Sequence, residues 1–435
     1  MNAKAVKAKL NKCITEVSEN KNIYCKNPCV DFTRNRKLPF DRVIKTILSF
    51  EGKSLNNELL DLYNPSELVT SSAFVQQRSK INANAFYDLF RSFSAKTVKP
   101  SLYSDYRLVA VDGSDIHTPT NSDDIDSYCE GSKNQSPFNM LHLNALYDIC
   151  SRTYIDALVQ KKHNHNEYKA LIEMLKRNTF DSNTIIIADR GYESYNNFAN
   201  IHERNLKYLF RVKDIHANGI ASSFRLPDEE FDISVDLNLT RKQNKQTKEL
   251  FKDQQHYRFI PVNVTFDYLP DKCNPSEAPL FYNLKFRIVR FKISDNSYET
   301  IITNLDLPVD EIKKIYAMRW GVETSFRKLK YNIGLLFFHS KKAELILQEI
   351  FAKLTLYNFT ELIASIHISK GNRKYDYQVN FSAAVNICRK LFLNRISPHE
   401  CEALIAAFLL PIRLNRNFKR NIFSKHAFGF SYRVS

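Results

Sequence analysis

The apolar positions change period along this chain, and the changes divide it. Over the first hundred residues, segments 39–50, 56–63, 66–81 and 83–95 repeat apolar residues at helical spacing between short polar breaks, which predicts a set of short helices. From Leu108 the pattern turns strand-like. LVAVDGSDI (108–116) is an apolar run that ends in turn residues. MLHLNALYDIC (140–150) and YIDALVQKK (154–162) predict two more strands around a turn at Ser151–Arg152. EYKALIEMLKRN (167–178) returns to a helical period. NTIIIADRG (183–191) reads as a buried strand running into a Gly turn, SYNNFANIHERN (194–205) as a helix and LKYLFRVKD (206–214) as a strand.

The order β-β-β-α-β-α-β, three meandering strands followed by α/β crossovers, predicts an α/β fold with a ribonuclease H-like catalytic domain. Residues 215–297 break the rhythm. They combine polar Lys/Gln-rich loops such as TRKQNKQTKE with alternating runs such as YRFIPVNVTF and YNLKFRIVRFKI, and predict a mainly β insertion. YETIITNL (298–305) predicts a return to the catalytic sheet. One long helix is expected from about Val309 to Tyr331, with Asp310 and Glu311 suited to the dipole of its first turn. Segments 343–366, 378–394 and 398–410 predict helices. The expected organisation is a helical region over 1–100, a catalytic domain in two parts over 101–214 and 298–370, the insertion over 215–297, and a helical, basic region over 371–435.

Charge adds a partner to this picture. The chain carries 63 Lys and Arg against 47 Asp and Glu, a net +16, which suggests a polyanion such as nucleic acid. Through Lys45 there are eleven basic and four acidic residues, so the first helices are either a helix-turn-helix-like DNA reader or a plain helical cap. The last stretch, 411–435, holds Arg413, Arg416, Lys419, Arg420, Lys425 and Arg433 and no acid, which fits a DNA or synapsis surface as well as a solvated tail. No window approaches the ~20 apolar residues of a spanning helix, and the N-terminus lacks the apolar core of a signal peptide. The eight cysteines lack paired metal-ligand spacing and read as reduced thiols.

Two aspartates follow apolar strands: Asp112 after Leu108–Val111, and Asp189 after Ile185–Ala188. A carboxylate there is costly to desolvate unless a cation or donors meet it, and the carboxyl ends of strands are where α/β sheets bind ligands. A third group lies on the expected long helix. At ~100° per residue, Arg319, Glu323 and Lys330 fall within a narrow arc beside Tyr316. A phenol, a guanidinium, a carboxylate and an ammonium on one stripe suit phosphoryl transfer on DNA, although a solvated face with an Arg319–Glu323 ion pair has the same spacing. Three clustered carboxylates repel one another, and two divalent cations roughly 3.5–4 Å apart resolve that repulsion. Oxygen ligands favour Mg²⁺ or Mn²⁺.

Tyr316-x2-Arg319-x3-Glu323-x6-Lys330, VDGS around Asp112 and Asp189-Arg190-Gly191-Tyr192 together resemble the bacterial insertion-sequence DDE transposases with the YREK signature, the IS-four-like family. The resemblance covers roughly residues 105–365. It implies that Asp112, Asp189 and Glu323 are the catalytic acids and hold two metal ions. It implies that Tyr316, Arg319 and Lys330 contact DNA phosphates near the transposon end. It further implies cut-and-paste transposition, commonly through a hairpin on the transposon end, by a homodimer that binds terminal inverted repeats and target DNA in a bacterial, nucleoid-associated setting. Relatives stack a flipped base on an insertion-domain Trp. The only Trp here is Trp320, on the helix, where it reads as a packing residue. Phe286, Phe291 or Tyr298 is expected to take over stacking. Asp115 is set aside in favour of Asp112, and His117 and His163 read as structural. The rival readings are a site-specific nuclease on the same fold and a domesticated, non-catalytic DNA-binding protein.

Overall fold

The computed structural model describes residues 1–34, 36–132, 136–271, 278–294, 297–367 and 376–412. The basic tail cations from Arg413 onward, Cys273 and the expected boundary at 370/371 lie outside the described residues.

The strands are β1 (Arg107–Thr118), β2 (Tyr128–Cys129), β3 (Phe138–Asp148), β4 (Thr153–Lys161), β5 (Thr184–Ala188), β6 (Lys207–Val212), β7 (Phe231–Thr240), β8 (Tyr257–Phe259), β9 (Tyr282–Ser294) and β10 (Ser297–Thr303), with β11 (Tyr377–Val379) and β12 (Leu409–Pro411) as a separate antiparallel pair. The helices before them are α1 (Ala3–Glu19), α2 (Lys21–Tyr24), α3 (Phe40–Ser49), α4 (Leu55–Leu62), α5 (Ser71–Arg78) and α6 (Asn84–Thr97). Among the strands lie α7 (Glu167–Lys176), α8 (Tyr195–His202) and α9 (Lys245–Leu250). After them come α10 (Val309–Met318), α11 (Trp320–Lys328), α12 (Ala343–Ala364), α13 (Phe381–Phe392) and α14 (Pro398–Ala407).

One mixed sheet runs β2-β3-β1-β5-β6-β10-β9-β7-β8, with β4 also on β3. β1, β5 and β6 are mutually parallel, while β3 pairs antiparallel with β1 and β4 pairs antiparallel with β3. Alternate residues of the central strands enter two separate cores, as the two-residue period of a strand requires. Leu108, Ala110, Ile185 and Ile187 pack on one face, under α1, α3–α6 and α10–α14. Val109, Val111, Ile186 and Ala188 pack on the other, under α7 and α8. Burial on both faces is why these strands read as unbroken apolar runs. We call the first face the front and the second the back.

The strands and helices of the β-β-β-α-β-α-β segment form where the pattern predicts them, with β2 as an extra two-residue strand. Five features differ. Gly113, Ser114 and Asp115, read as turn residues, continue β1 to Thr118 because β3 pairs with them throughout. The helices expected over 378–394 and 398–410 are shorter, because Tyr377–Val379 and Leu409–Pro411 pair as strands instead. The strands of 215–297 do not stand apart, because β9 pairs with both β7 and β10, and β10 pairs with β6. The segment therefore lengthens the central sheet. Within TRKQNKQTKE, read as a loop, Lys245–Leu250 is helical, because Asn244 and Thr247 cap each other's backbone N–H groups. The expected long helix is divided at Arg319. The Arg319 N–H bonds to the Tyr316 carbonyl and the Val322 N–H to the Arg319 carbonyl, both tight i+3 turns, and the far end is a π-turn over Leu329–Ile333 that stops at Gly334 with φ 93°.

The N-terminal helices are fastened to the rest by α12, which is buried nearly all round. Arg78, at the end of α5, is fully buried and donates to Glu349 Oε1 (3.0 Å), Gln348 Oε1 (3.2 Å) and the Leu345 carbonyl (2.8 Å). Structurally, residues 1–100 cover the front of the sheet as a helical cap.

Candidate functional site

β1 and β5 pair in parallel from Arg107–Thr184 to Ala110–Ile187. Two residues further along each strand stand Asp112 and Asp189, in matching register and on the same, front face as Ala110 and Ile187. Each carboxylate is oriented by a backbone N–H that follows it: within β1, Asp112 Oδ1 accepts from the Gly113 N–H, and in the turn after β5, Asp189 Oδ1 accepts from the Gly191 N–H, both at 2.9 Å. The turn after β5 is anchored by Tyr192, a fully buried residue whose hydroxyl donates to Asn144 Oδ1 on β3 at 3.1 Å.

The tight turn at Arg319 brings its guanidinium over this pair. Arg319 Nη2 donates to Glu323 Oε1 at 2.7 Å, and Nη1 lies 3.8 Å from Asp112 Oδ2. Its Cζ stands 5.6 Å from the centre of the Tyr316 ring. Lys330 Nζ donates to the Asp115 carbonyl on β1 at 2.9 Å. The structure thus brings together all six residues singled out by spacing: Asp112, Asp189, Tyr316, Arg319, Glu323 and Lys330. Tyr316 and Arg319, read as part of a polar stripe, are buried, at 6% and 7% exposure. The Arg319 Nε and the Tyr316 hydroxyl are enclosed without a hydrogen bond of good geometry. Unsatisfied donors of this kind suit an anion.

Electrostatics set Asp112 apart. Burial pushes its carboxyl up to about 7, the charges of Asp189 and Glu323 push the same way, and Arg319 and the Gly113 N–H oppose them. Among the described residues no three His, Cys, Asp or Glu side chains already meet as a metal cage. Arg319 instead supplies the positive charge between Asp112 and Glu323. The donor set, carboxylate oxygens with a cation already among them, fits a hard divalent ion. One expectation is independent of activity. A carboxyl raised in the folded state binds its proton there at pH values where the unfolded chain has lost it. Its contribution to stability is therefore full below about pH 4 and lost as pH rises through about 7. Asp112→Asn should raise the melting temperature of the metal-free protein at pH 8 by several degrees, on the order of a few kcal/mol, with the gain shrinking towards pH 5. Thermal denaturation with chelator at the two pH values checks this.

Sequence reasoning missed what lies behind Gly113. On the back face, Asp115 and His142 are cross-strand partners. His142 Nδ1 pairs with Asp115 Oδ1 at 2.7 Å, and His142 Nε2 with Glu167 Oε1 at 3.1 Å. Burial alone would lower the imidazole pKa; the bonds to Asp115 and then Glu167 outweigh it and push it up to about 9. Asn166 caps α7 through the Lys169 N–H, which sets Glu167 at the start of that helix. The available signal was glycine directly after Asp112 and two positions after Asp189. Neither Gly113 nor Gly191 has a left-handed φ, so both are there for room.

The aromatic expectations are corrected. Phe286 and Phe291 are core side chains, at 3% and 5% exposure, and cannot offer a face without unpacking the sheet. Tyr298 is half-buried with Arg290 over its ring at 3.9 Å. Trp320, read as a packing residue, is 53% exposed at the start of α11, beside Arg319. His117 stacks on Phe138, and His163 Nε2 bonds the Tyr128 carbonyl, both structural roles.

A family model described as a transposase DDE domain matches residues 103–359, more than half of the chain and the whole of the site. The chain belongs to the DDE transposase family. Among solved structures, it is similar to the piggyBac transposase in a cryo-EM structure of its synaptic complex with hairpin DNA, at 9% identity and a TM-score of 0.44, covering 96% of this chain and 86% of that one. No curated protein sequence matches it. Among the described residues no helix is long and apolar enough to cross a membrane.

Proposed function

We propose that this protein is a cut-and-paste DNA transposase of the YREK-signature, IS-four-like group, with a ribonuclease H-like catalytic domain and a bacterial insertion sequence as its element. The observation that carries the reading is the convergence of Asp189, Arg319 and Glu323 on Asp112, where the parallel pairing of β1 and β5 ends beside α11. Asp112, Asp189 and Glu323 are the residues that would hold two Mg²⁺ or Mn²⁺ ions. Bound there, the ions would activate water or a 3′-hydroxyl and stabilise the leaving oxygen.

The remaining work falls to the chain's own groups. Arg319 offers a planar fork to a phosphate once the acids have another cation, and the unsatisfied Tyr316 hydroxyl supplies a further donor. Lys330, tethered to β1, brings a charge to the flanking phosphate. A hairpin on the transposon end requires one base to leave the stack. Trp320 and Tyr298 are the aromatic faces that support this step, in place of the buried Phe286 and Phe291. The proposed assembly is a homodimer holding two terminal inverted repeats and target DNA, with residues 215–297 as the insertion and the helical ends as further DNA contacts. Incubating the protein with a labelled terminal repeat, Mg²⁺ and a supercoiled plasmid tests the reading. Covalent transfer of the label to the plasmid through the repeat's 3′ end is the expected result, and cleavage without any joined product would favour a nuclease.

A further inference from the structure

The polar cluster behind the site has no part in the chemistry above, yet its geometry touches the backbone that follows each acid. A methyl group on Gly113 would overlap His142 Nε2 and stand 2.7 Å from Glu167 Oε1. A methyl group on Gly191 would stand 2.7 Å from Glu167 Oε2 and 3.0 Å from Asp189 Oδ1. Glu167 therefore fills the gap between Gly113 within β1 and the turn after Asp189, with one carboxylate oxygen against each. His142 holds Glu167 in that gap, and Asp115 holds His142 from β1 itself. The three side chains come from three elements, β1, β3 and α7, so the chain of bonds ties the strand carrying Asp112 to the helix that abuts the turn carrying Asp189.

Parallel pairing of β1 and β5 ends at Ala110 and Ile187, so no ladder hydrogen bond fixes the spacing of the two aspartates beyond that point. Lys330 donates to the carbonyl of Asp115, so the same stretch of β1 also seats the end of the YREK face.

We propose that His142 and Glu167 are positioning residues for the acid pair: the Asp115–His142–Glu167 bridge, packed into the space left by Gly113 and Gly191, sets the separation at which Asp112 and Asp189 share a divalent cation. The inference rests on the reading of those aspartates as metal ligands. It differs in sign from a purely electrostatic role. Removing the charge of His142 leaves Asp115 and Glu167 uncompensated, and by charge alone a nearby cation would then bind more tightly. Loss of positioning makes it bind more weakly.

The test is Mn²⁺ uptake by the full-length protein without DNA, read from the free-ion electron paramagnetic resonance signal, for wild type, His142→Gln, Glu167→Gln and Gly113→Ala. Each variant is expected to raise the Mn²⁺ dissociation constant about 10–100-fold, the scale on which residues that orient metal ligands act. Melting temperature in chelator shows whether each variant is folded. Should His142→Gln not fold, the charge-neutral Gly113→Ala carries the test, because Glu167→Gln removes a negative charge and weakens cation binding by charge alone. Unchanged or tighter Mn²⁺ binding in a folded His142→Gln or Gly113→Ala protein overturns the positioning role. A wild type that takes up Mn²⁺ through Asp112 but neither cuts nor joins DNA removes the transposase reading and leaves this inference standing. A wild type that takes up no Mn²⁺ removes both.

Discussion

Replacing Asp112 or Asp189 by Asn, or Glu323 by Gln, is expected to slow strand cleavage at a transposon end by at least about a hundredfold, or about 2.7 kcal/mol of barrier, while end binding changes little. The three acids are near-isosteric with their amides, so each change removes charge and an oxygen ligand but little volume. Asp112 is the most sensitive of the three. It is deeply placed, and its carboxyl, pushed up to about 7, needs a cation beside it to stay ionised at neutral pH. Asp112→Asn makes the metal-free protein more stable and is expected to make it inactive, so lost activity with a raised melting temperature excludes unfolding as the cause. Glu323→Gln acts differently. It frees Arg319 from its 2.7 Å partner, and phosphate binding should hold or strengthen as cleavage falls. Gel-shift and single-turnover cleavage on the same labelled end separate the two effects. A variant that cleaves near the wild-type rate removes its residue from the site.

The largest effect on stability is expected at the buried ion pair that fastens the N-terminal helices to α12. Arg78 and Glu349 are both fully enclosed and 3.0 Å apart. Glu349 also accepts from the His339 backbone N–H at 3.1 Å and pairs with His339 Nδ1 at 3.0 Å. Burial opposes the charge of Glu349, but His339 and Arg78 outweigh it and hold its carboxyl down to about 2. A depressed carboxyl contributes stability that is full above its unfolded pKa, about 4, and lost as pH falls towards about 2. Arg78→Met strands Glu349 and should cost about 3–5 kcal/mol, on the order of 10 °C in melting temperature at pH 7. The double replacement Arg78→Met, Glu349→Met should recover only part of that loss, since it removes the ion pair together but leaves the buried His339 side chain and backbone N–H without their Glu349 acceptor. Calorimetry on the three proteins decides it. A loss under about 1 kcal/mol in Arg78→Met would mean that the front helices are not held through this pair.

How much of this was legible in the sequence follows from how local each feature is. Ile185–Ile187 is apolar on both faces, so a buried central strand and the exposed end at Asp189 could be read directly. The helical offsets from Tyr316 to Lys330 placed four groups together although the helix is divided at Arg319. That division was not legible: Gly321 lies two residues beyond it, in the first turn of α11, and a single Gly inside a helical period does not by itself signal a break. The pairings of β10 with β6 and of β9 with β7 join distant segments, and alternation alone cannot say which sheet a strand joins. Trp320 and Phe291 were misread for the same reason: an aromatic looks alike on a core face and an open one until the neighbouring element is known. His142 and Glu167 are single polar residues in an apolar strand and at a helix start, where the ordinary reading is a satisfied side chain. Only their convergence behind Gly113 gives them a role.

Cleavage of a labelled terminal repeat, resolved on a denaturing gel with Mg²⁺ or with chelator, bears most directly on the central claim that Asp112, Asp189 and Glu323 cut DNA at the element's end. The account predicts a Mg²⁺-dependent nick at the repeat boundary that leaves a 3′-hydroxyl on the transposon strand, and no such product from Asp112→Asn, Asp189→Asn or Glu323→Gln. A nick that persists in chelator, or one that any of the three variants makes at the wild-type rate, would contradict it.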